Sequence, residues 1–219
     1  MIDFSPLFIS LRAALLSSCF VFVFGTLFAR FFLSCNGRFA SFVDTLCTLP
    51  MVLPPTVLGF FLLVLFGRNG PFSFFWDLTG GGIVFTWYAT VLAAFVVSFP
   101  LMYRSARGAF EQVDVQLLWA ARTLGMREWE VFLKVMLPNA RPGILAGLSL
   151  SFARSLGEFG ATLMIAGNIP GRTQTIPMAI YFATAGGDMH TAWIWVGIML
   201  GTSFLSLGIA SYLNAGRSV

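Results

Sequence analysis

Long apolar runs separated by polar stretches dominate this sequence, and five of the runs reach about 20 residues. A helix of about 20 residues rises far enough to cross the ~30 Å hydrocarbon core of a bilayer. The runs do not alternate apolar and polar residues, so they are not strands of a membrane barrel. The pattern predicts an all-α integral membrane protein with a single domain over residues 1–219 and spans at about 13–33, 46–66, 83–102, 143–166 and 192–213.

The composition agrees with a chain that has lipid as the solvent for much of its surface. Hydrophobic residues make up 58% of the sequence and charged residues only 10%, whereas a soluble domain carries about 25% charged residues. The net charge of +4 is spread over the loops without a basic stripe, which argues against nucleic-acid binding. Three cysteines without a C-x-x-C pair and the single His190 do not predict a metal site.

The distribution of basic residues predicts the orientation of the spans. Arginine and lysine concentrate in the segments after the first and third runs, and Arg217 lies in the C-terminal tail. Cationic residues favour the cytoplasmic side of a membrane. We therefore expect a multi-pass protein of the plasma (inner) membrane, with its N-terminus outside and its C-terminus in the cytoplasm.

The longest predicted loop, 104–141, has a pattern of its own. Apolar residues recur among charges at helical spacing, interrupted at Gly125 and followed by Pro138. This pattern predicts short amphipathic helices that are broken at Gly125 and end at Pro138. Such a segment either lies on the membrane surface or docks into a groove of a partner protein.

The stretch AARTLGMREWEVFLKVMLPNARPGI resembles the EAA loop of bacterial ABC-importer permeases. That loop reads Glu-Ala-Ala, three residues, glycine, about nine residues and a hydrophobic-Leu-Pro end. The matching positions here are Ala120, Ala121, Gly125, Leu137 and Pro138. Trp119 stands where the family usually has glutamate. The resemblance implies a cytoplasmic coupling helix that fits a cleft on an ATP-binding subunit, formed by Ala120, Ala121, Arg122, Thr123, Leu124, Gly125, Met126, Arg127 and Glu128.

Two further stretches, LPPTVLGF and GEFGATLMIAGNIPGRTQTIPMAIY, resemble the molybdate and sulfate branch of these permeases, and IPGRTQTIP is most similar to molybdate permeases. The resemblance implies the type I ABC importer permease fold and a pairing with a second copy of the chain. It also implies a dimer of ABC ATP-binding subunits and an extracytoplasmic molybdate-binding protein as partners. The alternatives are a permease for tungstate or sulfate and a stand-alone secondary transporter, which would need internal inverted repeats.

Catalysis is not expected of this chain. It contains no G-x-x-x-x-G-K-[ST] loop to hold nucleotide phosphates, so ATP and Mg would be used by the partner subunit. A membrane enzyme would need a catalytic cluster at a membrane face, and His190 with scattered acids does not supply one. We therefore expect a non-catalytic permease subunit that binds no cofactor itself.

Polar and proline residues inside the apolar runs are candidates for the translocation path. Pro54 and Pro55, with Thr56 beside them, should bend the second span, either for packing or beside the path. Arg154 and Glu158 fall inside the fourth run at helical i, i+4 spacing. They should face the bundle interior, either as a structural ion pair or as groups that line an anion path.

A predicted outer loop carries the last candidates, Arg172, Thr173 and Gln174. Their side chains either contact the anion or the binding protein, or belong to a solvated loop without a specific role.

Overall fold

The computed structural model describes residues 3–33, 37–74 and 82–215, with side chains described up to residue 208. Secondary structure in these ranges is entirely helical, which confirms the predicted all-α class. The described elements are, in chain order, α1 (Ser5–Leu33), α2 (Arg38–Val52), α3 (Pro55–Phe66), α4 (Trp87–Glu111), α5 (Val115–Thr123), α6 (Glu128–Val131), a π-helical turn (Phe132–Met136), α7 (Leu137–Leu156), α8 (Gly160–Ala166), α9 (Ile176–Ala185) and α10 (Met189–Ala215).

Helices α1, α4 and α7 pack on one another and form the centre of the bundle. The buried face of α1 consists largely of small residues, among them Ala13, Ala14, Ser17 and Gly25. A Cβ atom at Gly25 would lie 2.7 Å from Met102 Cγ of α4, so these two helices approach closely. Other faces of α1 carry exposed phenylalanines, as expected of a helix surface that contacts lipid.

The second predicted span, 46–66, is bent rather than straight. Between α2 and α3 the helix direction changes by 115°. Pro54 and Pro55 supply no backbone N–H, so the hydrogen bonds of α2 cannot continue, and Pro55 becomes the first residue of α3. The bend therefore lies at the prolines, as the sequence predicts, while α2 already begins at Arg38.

The fourth predicted span, 143–166, differs from the prediction because its helix is interrupted. Helix α7 ends at Leu156 and α8 begins at Gly160. The Glu158 carboxylate accepts a 2.8 Å hydrogen bond from the backbone N–H of Ala161 in the first turn of α8. That bond satisfies one of the donors that every helix start leaves open, which explains why a new helix begins here.

Three described helices, α1, α4 and α10, are long and apolar enough to cross a membrane, and the bent pair α2–α3 raises the number to four. The number of five crossings stays a prediction. Helix α4 continues to Glu111, so the connection that follows it is shorter than the predicted loop 104–141. Arg217, which contributes to the predicted orientation, lies outside the described residues.

We call residues 115–136 the coupling segment; it contains α5, α6 and the π-helical turn. Its chain is broken at Gly125, as predicted. The prediction that the helix ends at Pro138 is wrong, because helical structure continues without a break from Glu128 to Leu156. Pro138 lies in the first turn of α7, directly after the π-helical turn, where the hydrogen-bond pattern changes and a missing N–H is tolerated.

Candidate functional site

The coupling segment starts with a capped helix and contains a turn that requires glycine. Asp114 Oδ1 accepts a 2.8 Å hydrogen bond from the backbone N–H of Gln116 and caps α5. Gly125 has a φ of +80°. The next residue, Met126, donates its N–H to the carbonyl of Ala121 at 3.2 Å. A residue with a side chain is strained at this φ, so the turn between α5 and α6 depends on Gly125.

One side of the coupling segment is buried against the bundle. Leu118, Ala121 and Val131 belong to the same buried cluster as Phe110 of α4. Phe110 also contacts Phe132 of the π-helical turn, with ring centroids 5.8 Å apart. The coupling segment is therefore packed onto the bundle as a structured element.

The other side of the coupling segment exposes large apolar side chains. Trp119, Leu124 and Trp129 are 62%, 83% and 65% exposed. Exposed aromatic and large apolar side chains among charged residues are typical of a contact with another protein. Most of the predicted coupling residues lie on exposed positions of the same segment, namely Ala120, Arg122, Thr123, Leu124, Gly125, Arg127 and Glu128, whereas Ala121 is buried and Met126 partly so.

A bidentate ion pair joins the two halves of the coupling segment. Arg122 Nε lies 2.6 Å from Glu128 Oε1, and Arg122 Nη2 lies 3.1 Å from Glu128 Oε2. This hydrogen bonding lowers the pKa of the Glu128 carboxyl. Arg30, near the end of α1, lies 3.7 Å from the same carboxylate. Exposed pairs contribute little stability, but the bidentate geometry orients α5 relative to α6.

A polar cluster that the sequence did not reveal joins α2 to α4. The Tyr103 hydroxyl donates a 3.0 Å hydrogen bond to Asp44 Oδ1, and Arg107 Nη1 donates to the same oxygen at 2.7 Å. Arg107 Nε also donates to Glu111 at 3.0 Å. The regular spacing of Tyr103, Arg107 and Glu111 on one helix face is a signal in the sequence, whereas Asp44 comes from a distant segment.

The path candidates at the bend, Pro55 and Thr56, lie close to the path candidate Glu158, at the contact between α3 and α8. A Cβ atom at Gly160 would lie 3.0 Å from Pro55 Cβ and 3.3 Å from the backbone nitrogen of Thr56. Glu158 stands just before this contact and is only 3% exposed. The bend after Pro54 and the interruption at Glu158 therefore adjoin each other.

Arg154 and Glu158 form an ion pair, with Arg154 Nη1 2.8 Å from Glu158 Oε2. The expectation that both lie on one helix is wrong, because Glu158 follows the end of α7. The Arg154 side chain is 35% exposed and that of Glu158 is 2% exposed. Oε2 lacks an aligned hydrogen bond, so the attraction to Arg154 is mainly between charges. Whether the pair also lines the path stays a prediction.

The three candidates of the predicted outer loop, Arg172, Thr173 and Gln174, have different surroundings in the loop after α8. Thr173 is fully buried; its hydroxyl donates to the Gly167 carbonyl at 2.8 Å and accepts from the Ile169 N–H at 3.0 Å. Thr173 therefore holds the loop together, whereas Arg172 is exposed and Gln174 is half-buried. Within the described ranges, no group of three His, Cys, Asp or Glu residues is placed to hold a metal ion.

Comparison with known proteins assigns the family. Residues 21–218 match the family described as "Binding-protein-dependent transport system inner membrane component". The chain is 43% identical over 214 residues to the molybdenum transport system permease protein ModB of Escherichia coli (strain K12), which covers 96% of this chain and 93% of that protein. It is also 43% identical over 208 residues to the putative molybdenum transport system permease protein YvgM of Bacillus subtilis (strain 168), with coverage of 93% and 90%.

A solved structure agrees with this assignment. An inward-facing MetNI methionine ABC transporter superposes with a TM-score of 0.78 at 15% identity, over 98% of this chain and 95% of that chain. The expected permease fold of an ABC importer is thereby confirmed. The chain belongs to the family of inner membrane components of binding-protein-dependent transport systems.

Proposed function

We propose that this chain is the permease subunit of an ATP-driven importer that carries molybdate into the cytoplasm. The observation that carries the importer role is the coupling segment, which presents an exposed apolar patch from a structured element packed on the helix bundle. The substrate rests on the two relatives named as molybdenum transport permeases, which are similar over nearly the whole chain.

The partner of the exposed patch is a dimer of ATP-binding subunits, one for each of two permease copies. Trp119, Leu124 and Trp129 supply the apolar centre of the contact, and Arg122 and Arg127 supply its charged rim. With Trp119 in the place of the family's glutamate, docking at this position depends on apolar burial rather than on a carboxylate. ATP and Mg are used entirely by the partner.

Motion of the coupling segment reaches the membrane along a continuous helix. The stretch from Glu128 through the π-helical turn to Leu156 contains no non-helical residue that could absorb a displacement. The interruption at Glu158 follows directly, and there α8 contacts the start of α3. Closure of the ATP-binding subunits would thus move the region around the bend and alternate the access of the path between the two membrane faces.

The ends of α1 support the proposed orientation. Arg30, near the C-terminal end of α1, contacts Glu128 of the coupling segment. If the coupling segment meets a cytoplasmic ATP-binding subunit, the N-terminal end of α1 lies outside, where a binding protein delivers the anion. Arg154 then offers positive charge to a dianion inside the membrane, while its pairing with Glu158 limits the repulsion from that carboxylate.

The test is uptake of radiolabelled molybdate into proteoliposomes that contain this chain, its cognate ATP-binding subunit and the binding protein. We expect uptake that requires ATP and the binding protein, and that excess tungstate blocks but excess sulfate does not. The control is the same preparation with a non-hydrolysable ATP analogue. Competition by sulfate would reassign the substrate to the sulfate branch, and uptake without ATP would favour a secondary transporter.

A further inference from the structure

A cavity of about 700 Å³ opens between the N-terminal half of α1, the start of α4 and the loop after α8. Among the residues that the structure describes, two arginines line it, Arg12 from α1 and Arg172 from the loop, and no acidic residue does. Within the described residues neither arginine forms an ion pair with a carboxylate. Two guanidinium groups at one concave surface make it a region of positive potential.

The loop that carries Arg172 is held in place by its own hydrogen bonds. The buried Thr173 hydroxyl bridges Gly167 and Ile169, and the carbonyl of Ile169 accepts the backbone N–H of Arg172 at 3.0 Å. The backbone N–H of Ile176, just beyond, donates at 2.8 Å to the buried hydroxyl of Ser10 on α1. Arg12 and Arg172 therefore stand on segments that are fixed to each other.

An aromatic residue at the cavity wall has a strained backbone. Phe85 has a φ of +59°, and among the described residues it is the one non-glycine residue with a positive φ. It is nevertheless 56% exposed, and its ring lies over Gly167, where a Cβ atom would come within 3.1 Å of it. Its backbone N–H donates to Ile165 at 3.0 Å. Strained residues persist where the surroundings hold them in place, commonly at ligand sites.

The cavity lies at the end of the molecule that faces away from the coupling segment. Arg12 and Arg30 are both on α1, and the helical rise separates them by about 27 Å along its axis. Arg30 contacts the coupling segment. The distance is close to the thickness of a bilayer core, so Arg12 and Arg30 belong to opposite membrane faces.

We propose that Arg12 and Arg172 form a binding site for a tetrahedral oxyanion at the outer mouth of the permease. Planar guanidinium groups bind two oxygens of such an anion at once, and rigid segments lower the entropic cost of binding. The inference rests on the proposed function for the identity of the anion, molybdate. The same chemistry also fits the phosphate of a lipid headgroup, and the experiment separates the two sources.

The experiment measures equilibrium binding of radiolabelled molybdate to the assembled permease–ATPase complex in lipid nanodiscs, without ATP and without the binding protein. We expect saturable binding that Arg12→Gln or Arg172→Gln weakens about tenfold or more. Arg68→Gln is the matched control, because Arg68 follows the second predicted span, which ends outside in the predicted orientation, but does not line the cavity. Rising salt should weaken binding to the wild-type complex and to the control alike.

The lipid composition distinguishes the two sources of the anion. If the site takes the free oxyanion, affinity in phosphatidylcholine discs equals that in discs with added phosphatidic acid. If it takes a lipid phosphate, phosphatidic acid competes with molybdate in the wild type, and Arg12→Gln or Arg172→Gln weakens this competition. Either result supports an oxyanion site.

Two results would overturn the inference: no saturable oxyanion binding by the wild-type complex, or equal affinity in all three single variants. A separate measurement, molybdate uptake with ATP and the binding protein present, distinguishes a failure of this inference from a failure of the proposed function. Molybdate uptake by a complex that lacks the site leaves the importer assignment intact. Binding of phosphate or sulfate at the two arginines, without any molybdate uptake, leaves the site intact and removes molybdate as the substrate.

Discussion

Arg107 Nη1 lies 2.7 Å from Asp44 Oδ1, and this contact fastens α2 to the end of α4 that leads into the coupling segment. The two side chains are 29% and 35% exposed, so the contact lies at the edge of the bundle and is partly shielded from solvent. Because α2 is one arm of the bent pair, the contact links the coupling end of the molecule to the bend at Pro54.

Asp44→Asn should lower the stability of the purified permease by about 1–2 kcal/mol, because Arg107 and the Tyr103 hydroxyl lose a charged acceptor. The thermal unfolding midpoint in detergent measures the effect. Glu111→Gln is the control: its partner is also Arg107, but its side chain is 55% exposed, so the loss should be smaller. An equal decrease of the unfolding midpoint in the two variants would show that the contact with Asp44 contributes no more stability than the contact with Glu111.

Gly125→Val should uncouple ATP hydrolysis from uptake while the protein still inserts into the membrane. A β-branched residue is strained at a φ of +80°, so the turn between α5 and α6 must change. Gly125→Asn is the matched variant, since asparagine tolerates this conformation, and it should retain most of the coupling. The measurement is ATP hydrolysed per molybdate transported, and equal ratios for both variants would contradict the assignment of the turn.

Arg154→Ala should cost more stability than the double change Arg154→Ala with Glu158→Gln. The single change leaves a nearly buried carboxylate without its cation, at a cost of about 2 kcal/mol, and the second change removes that charge. A double-mutant cycle on thermal unfolding gives the coupling energy. Strictly additive effects would show that the two side chains do not depend on each other.

Gly59→Ala should destabilise the contact between α3 and α8 by about 1–3 kcal/mol. The added Cβ would lie 2.7 Å from the backbone of Ala161, which cannot move aside as a flexible side chain can. Gly201→Ala on α10 is the control, because nothing lies within 4 Å of its Cβ position. It should be neutral or stabilising by about 0.5–1 kcal/mol, as alanine favours a helix. The same sign of change in both variants would argue against close packing at Gly59.

The sequence was informative wherever a local rule decides the structure. Pro54 and Pro55 cannot continue a hydrogen-bonded helix, so the bend was predictable, and Gly125 marked the turn of the coupling segment. The interruption before α8 was not predictable, because Arg154 and Glu158 have a spacing that also fits a continuous helix. Their actual arrangement depends on the Glu158 side chain capping α8, a contact that competes with helix continuation only in the folded chain.

Contacts between distant segments could not be predicted from the sequence either, because they too form only in the folded chain. In the sequence, Asp44 is an isolated acidic residue near the second apolar run, and its partner Arg107 is 63 residues away. Arg12 and Arg172 are further apart still, and the packing of α9 onto α1 helps bring their segments to one cavity. Pro138 gave the opposite error: the sequence predicts that a helix ends there, but the π-helical turn before it lets the helix continue.

That π-helical turn, Phe132–Met136, also sets the rotational phase between the two ends of the helix that contains it. A π turn accommodates one residue more than the α-helix on either side, and one residue corresponds to about 100° of rotation. If the same residues formed an ordinary α-helix instead, Trp129 would be rotated by about 100° around the axis relative to Arg154. Deleting one residue there would restore an ordinary α-helix and leave that relative orientation nearly unchanged. The direction in which the exposed side of the coupling segment faces is thus determined by the hydrogen-bond pattern of a five-residue stretch as well as by the residues on that surface itself.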